Sequence, residues 1–357
     1  MLDVRGGLPD FIPKSANLAY SMQVEDFDRE AGRSSQAEAM MATIRRSAPQ
    51  LLQRVQQGLS NLELVSIPHP TWPLPYSKHP RKYDSKNPLR ISILDSSYNP
   101  PTLAHLALAN SRRSQGLRVD CTNEEEPHPS YDAKLLLLSV KNADKTLKPG
   151  DATYQQRLEM MSLLALNVTR DTNGSTSQLS SHPASLESAN VAIAIIDEPT
   201  FVGKSEALLA FLQSRFASLP PPTPTAEGIE LTFLVGHDTL ERLFSPRYYP
   251  SEEAMMHSLR KFLSPAPEGD SSRIVSARRE IASQSGEDNT MSLAKEFMDS
   301  GKIATIDLGD EISKYSSTTV RRSLGSLGWG QDSLWRKLVT GDVAEYIIGQ
   351  HLYEVGS

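Results

Sequence analysis

A single cysteine, Cys121, stands in a chain of 357 residues. That excludes a disulfide framework within the chain and a multi-cysteine zinc cluster. A reducing intracellular compartment is the expectation. Positive charge is also in deficit: 37 Lys and Arg against 43 Asp and Glu give a net charge of −6. General nucleic-acid binding, which needs a strongly basic face, is therefore not expected. No apolar run approaches the ~18 residues of a membrane span; the longest, at 135–138 and 191–196, are of strand length. The first residues lack a basic stretch leading into an apolar core, so no secretory signal is expected. No internal repeat is visible. These absences predict a soluble protein of the cytoplasm or nucleus with neither a membrane nor a nucleic acid as partner. They leave open whether it is an oligomer.

What the chain does have is alternation. Strand-length apolar runs lie at 90–94, 134–140, 191–196, 229–235, 272–276 and 303–308. Helical patterns separate them at 103–115, 153–167, 203–217, 238–244 and 291–299. This pattern predicts an α/β fold: a Rossmann-like parallel sheet with helices on both faces, which explains why the strands are apolar throughout. Residues 89–357 read as one nucleotide-binding-type domain, with polar, mobile surface insertions expected near 171–188, 219–226 and 264–290. Residues 1–88 read as an N-terminal extension. It carries an amphipathic helix over 36–60 (Met40, Met41, Ile44, Leu51, Leu52, Val55, Leu59), broken near Pro49, and a Pro-rich connector at 67–80.

The most informative segment is 91–105, ISILDSSYNPPTLAH. A strand ends, a polar turn with two prolines follows, and Thr102 and His105 stand three apart at a helix start. Residues so spaced share a helix face. A hydroxyl and an imidazole beside the free N–H groups of a helix N-terminus make a site for an anion at the carboxyl end of a parallel sheet. The plainer alternative is a capping Thr102 and a packed core His105. Far along the chain, 315–321 reads YSSTTVR. Ser316 or Ser317 can cap a helix, and Arg321 follows one turn later with a planar fork suited to phosphate oxygens.

The run Ser96-Ser97-Tyr98-Asn99-Pro100-Pro101-Thr102-Leu103-Ala104-His105 resembles the first signature of the nucleotidyltransferase superfamily. In that signature a Gly-Ser-Phe-x-Pro turn precedes His/Thr-x-x-His. The Thr form is similar to that of nicotinamide mononucleotide adenylyltransferases. Ser316, Ser317, Thr318 and Arg321 resemble the second signature, Ile-Ser-Ser-Thr-x-x-Arg. Residues 139–157, with Val140, Asn142, Lys145 and Arg157, and 234–238, with Gly236 and Asp238, resemble further stretches. The C-terminal run 342–353 looks like a packing element of the same family.

The resemblance implies transfer of the adenylyl group of ATP to nicotinamide mononucleotide, forming NAD and pyrophosphate. In that picture His105, Thr102 and Arg321 are catalytic, with His105 and Thr102 on the transferred phosphate. Ser96, Ser97, Tyr98, Ser317, Thr318 and Lys145 bind ATP. Gly236, Asp238 and Phe201 serve the mononucleotide and its ribose, Phe201 standing in for an expected Trp. Mg2+ arrives with ATP, with few protein ligands. Asp95-Ser96-Ser97 stands where the family has a glycine pair, and the inserts are not standard, so the chain looks like a divergent fungal branch. Two other readings stay open: nucleotidyl transfer to another acceptor (nicotinate mononucleotide, or a cytidylyl transfer), and a non-catalytic nucleotide-binding protein.

Overall fold

The computed structural model describes residues 14–75, 81–113, 131–141, 148–168, 189–278, 287–327 and 333–354. Every strand-length apolar run becomes a strand: β2 (Leu89–Asp95), β3 (Ala133–Ser139), β4 (Val191–Ile196), β5 (Ile229–Gly236), β6 (Arg273–Ala277) and β7 (Ile303–Ile306). A further strand, β1 (Leu62–Ser66), lies in the N-terminal extension. The order across the sheet is β1-β4-β3-β2-β5-β6-β7. All neighbours run parallel except β1, which pairs antiparallel with β4 along the edge. From β2 the chain winds one way to β3 and β4; from β5 it winds the other way to β6 and β7. The crevice between β2 and β5 at their carboxyl ends is the switch point where open α/β sheets hold ligands.

Both faces are covered, as the apolar strands require. One face packs α1 (Lys14–Gln56), α2 (Leu103–Ala109) and α3 (Tyr154–Ala165) through Ile44, Leu108, Leu158 and Leu164. The other packs α4 (Phe201–Ala217), α5 (His237–Leu243), α6 (Glu252–Leu263) and α7 (Glu287–Asp299) through Leu212, Leu240, Phe262 and Phe297. A third cluster joins α3 to α8 (Ser317–Leu327) and α9 (Gly341–Gly349) around the fully buried Trp335. It fixes the start of α8 against the body of the sheet.

Three local features differ from expectation. Helix α1 is longer than the periodicity indicates and passes through Pro49 without a break. Pro49 lies on the exposed face, where water can satisfy the carbonyl left without its N–H partner. Helix α2 ends at Ala109, well short of 115, with Asn110 as its C-cap. Residues 264–272 fold back on the end of α6: Asp270 N–H donates to Lys261 O and Ser272 N–H to Phe262 O. A Cβ on Gly269 would lie 2.2 Å from the Lys261 carbonyl, so this turn requires glycine. The expected insertion at 171–188 falls outside the described residues.

Candidate active site

The turn after β2 is held from several directions. Tyr98 takes a positive φ of 45° and is fully buried; its hydroxyl donates to Leu94 O at 2.6 Å. Asn99 is the hub. Its amide donates to Asp151 Oδ1 (2.7 Å), and its side-chain oxygen accepts from Ala152 N–H (3.2 Å) and the Tyr353 hydroxyl (2.9 Å). Its carbonyl accepts from the Arg321 guanidinium. Ser317 Oγ donates to the next carbonyl, Pro100 O, at 2.7 Å. Arg157 donates to Ser97 O (3.3 Å) and Ala152 O (2.9 Å). The two motifs, more than two hundred positions apart, are thus bonded together at the carboxyl end of β2. Burial pushes the Asp151 carboxyl up, but the Lys148 N–H, the Asn99 amide and the Arg157 and Arg321 guanidiniums outweigh it and hold its pKa below the usual range.

His105 sits at the centre of this corner. Its Nδ1 accepts from Thr102 N–H at 3.0 Å, so the ring proton of the neutral imidazole is on Nε2. Nε2 lies 2.8 Å from Ser96 Oγ. Burial pulls its pKa down to about 4, so the ring is neutral at pH 7. The Tyr98 ring backs it at 5.5 Å between centroids.

Beside the corner opens a cavity of about 260 Å³. Asp95, Ser96 and Ser97 form its wall at the end of β2, with Ser139 and Lys141 beyond β3. Pro199, Thr200, Phe201 and Lys204 line it from the start of α4, and Thr239, Arg242, Leu243, Tyr248 and Tyr249 close it. Asp95 and Lys204 form a buried ion pair, Oδ2 to Nζ 2.5 Å, with Ser139 Oγ donating to Asp95 Oδ1 at 3.2 Å. The Lys204 ammonium also lies 4.9 Å from the centroid of Phe201, whose ring meets Phe233 edge-on. Burial pushes the Tyr249 phenol up to about 12, keeping it a neutral donor, to Leu243 O.

The expected residues are placed unequally. Ser96, Ser97 and Phe201 line the cavity, and Ser317 and Arg321 meet the turn. Thr102, expected on the transferred phosphate, is fully buried, with its hydroxyl 2.9 Å from His105 Nδ1; it orients the imidazole. Tyr98, expected at ATP, keeps its side chain in the core. Thr318 is exposed in the first turn of α8. Gly236 and Asp238 are exposed at the β5–α5 junction and do not line the cavity; Thr239 and Arg242 do. Gly236 has nothing within 4 Å of a built Cβ. Lys145 and Asn142 lie outside the described residues. The C-terminal run does more than pack, since Tyr353 bonds the turn directly.

Sequence reasoning passed over Asp95, Ser139, Lys204, Arg242, Tyr248 and Tyr249. A signal existed for the first two, each the last residue of a parallel strand: Asp95 ends β2 at the switch point and Ser139 ends its neighbour β3. Lys204 stands three residues after Phe201 and so shares its helix face. Arg242, Tyr248 and Tyr249 carried no pattern.

No family model matches the chain. Over 205 residues it is 29% identical to the Schizosaccharomyces pombe protein named "Putative nicotinamide mononucleotide adenylyltransferase", a match covering 57% of this chain and 59% of that relative. Among solved structures it is similar to Plasmodium falciparum nicotinic acid mononucleotide adenylyltransferase complexed with APC, at a TM-score of 0.40 and 14% identity over 74% of this chain and 96% of that one. The match to the Schizosaccharomyces pombe chain is a likeness to a protein so named, and this chain spans less than two thirds of that relative's length.

Proposed function

We propose that this chain transfers the adenylyl group of ATP to the 5′-phosphate of a pyridine mononucleotide. The observation that carries the reading is the direct bonding of Ser317 and Arg321 to the Asn99–Pro100 turn beside a cavity at the switch point. A phosphate oxygen of the mononucleotide attacks the α-phosphorus of ATP; a new P–O bond forms, the bond to the β-phosphate oxygen breaks, and pyrophosphate leaves. The nucleophile is already an anion, so no general base is needed. The protein's task is positioning and charge stabilisation. The Ser96–His105 pair serves the transferred phosphoryl group. Arg321, with Ser317 and Thr318 at the start of α8, takes the leaving β and γ phosphates; Lys145 is assigned to ATP by its place in the motif alone. Phe201 and the tyrosines of the cavity wall take the pyridine ring.

Among the described residues no group of three or more His, Cys, Asp or Glu side chains converges. In this reading Mg2+ enters as part of the ATP substrate, where it neutralises phosphate charge. We further propose nicotinamide mononucleotide as the acceptor and NAD as the product. The test is mass-spectrometric product detection from purified protein with ATP or CTP against nicotinamide and nicotinate mononucleotides. NAD from the first acceptor is expected. The deamidated product alone would reverse the acceptor assignment, and ATP binding with no product from any pair would leave a non-catalytic binding protein.

A further inference from the structure

Ser96 is the one member of the Ser96–His105 pair that reaches the cavity. Ser96 stands in the wall, whereas His105 does not line it. Both imidazole nitrogens are engaged: Nδ1 by the Thr102 N–H at 3.0 Å, Nε2 by Ser96 Oγ at 2.8 Å. Because Nδ1 accepts, Nε2 must donate, and Ser96 Oγ is the acceptor. The serine O–H is then directed away from the ring. Its backbone N–H is already tied to Leu137 O, which fixes the residue against β3.

We infer that Ser96 contacts the transferred phosphate and that His105 acts through it, as a hydrogen-bond relay from Thr102 N–H through the imidazole to the serine O–H. The proposal rests on the adenylyl-transfer reading and changes the assignment within it: Ser96 is the catalytic residue and His105 a positioning residue. No proton need be transferred. Each hydrogen bond in the row polarises the next, so the serine presents a stronger donor to a phosphoryl oxygen than an isolated hydroxyl would. Tyr98 behind the ring and Thr102 beneath it hold the imidazole in this tautomer and orientation.

The experiment is a double-mutant cycle on the full chain with Ser96→Ala, His105→Ala and the pair, with Ser96→Gly as a further variant. A relay in series predicts that each single change lowers turnover by about 10²–10³ and that the double variant falls no further than the worse single, within a few fold. It also predicts that Ser96→Gly falls as far as Ser96→Ala. Multiplying effects, or Ser96→Gly retaining or raising turnover, would mean that the imidazole meets the phosphate directly and would overturn the relay. Thermal melting of each variant reports folding. ATP and pyrophosphate affinities by calorimetry give a second reading of the same cycle, with equal losses in the singles and the double expected. If the wild-type chain forms no product but binds ATP, the functional reading fails and calorimetry still judges the relay. If it binds neither ATP nor pyrophosphate, both fall.

Discussion

Charge is buried at both ends of the sheet, and the two ends are built differently. At the amino ends, the Glu230 carboxylate on β5 sits among three guanidiniums: Arg113 at 3.2 Å, and Arg90 on β2 and Arg273 on β6 at 3.9 Å each. Burial pulls the Arg90 pKa down, with Glu230 opposing it. At the carboxyl ends, Asp95 and Lys204 make a single close pair. None of the amino-end residues lines the cavity, whereas Asp95 and Lys204 stand in its wall. Buried ions alone therefore do not mark a site, because a fold also uses them to join strands. The carboxyl end adds room, aromatic rings and a turn whose carbonyls are gripped by a distant helix.

Glu230→Gln tests the amino end and has the largest expected effect. Removing the carboxylate leaves buried guanidiniums uncompensated and should cost about 3–5 kcal/mol of stability by urea unfolding. Turnover per folded molecule should not change. Lost turnover at undiminished stability would erase the distinction between the two ends.

The His105 imidazole offers the next test. Its pKa of about 4 in the fold lies below the ordinary 6.5, so the unfolded chain binds the extra proton first. Its contribution to stability is present above pH 6.5 and is lost as pH falls towards 4, on the order of 3 kcal/mol in total. Urea unfolding between pH 4 and 7 should show a shallower acid loss in His105→Gln than in wild type. Equal slopes would mean that the imidazole is not held neutral.

The smallest effect is expected at Arg321. Its side chain is about a third exposed and bonds the turn through a backbone carbonyl. Arg321→Ala should weaken ATP and pyrophosphate by about ten- to a hundredfold, the scale of a charge-assisted hydrogen bond, with the KM for the mononucleotide unchanged. A change confined to the mononucleotide would reverse the orientation of the two substrates in the site.

The legible parts of the molecule share one property. The strands of the parallel sheet could be read because burial on both faces makes each a short, mainly apolar run. The turn at 96–105 and the start of α8 could be read because local spacing writes a cap, an imidazole and a guanidinium into a few consecutive residues. Strand β1 escaped because an edge strand buries only some of its residues: Leu62 and Val65 are buried, while Leu64 is partly exposed. Tyr98 and Thr102 were assigned to the ligand from their place in a motif, but burial is a property of what packs over a residue, and both are covered. The cavity wall was least legible, since Lys204, Arg242 and Tyr249 come from separate elements with no spacing in common.

Local chemistry in the chain thus dictated the order of strands and helices, the capped turn and the arginine that meets it, because each depends on neighbours a few residues away. The winding of the sheet, the meeting of Arg321 with Asn99, the Asp95–Lys204 pair and the serine hydroxyl between imidazole and cavity arose only on folding. Each is a contact between segments far apart in the chain, and its distance and burial are set by the packing of both sheet faces.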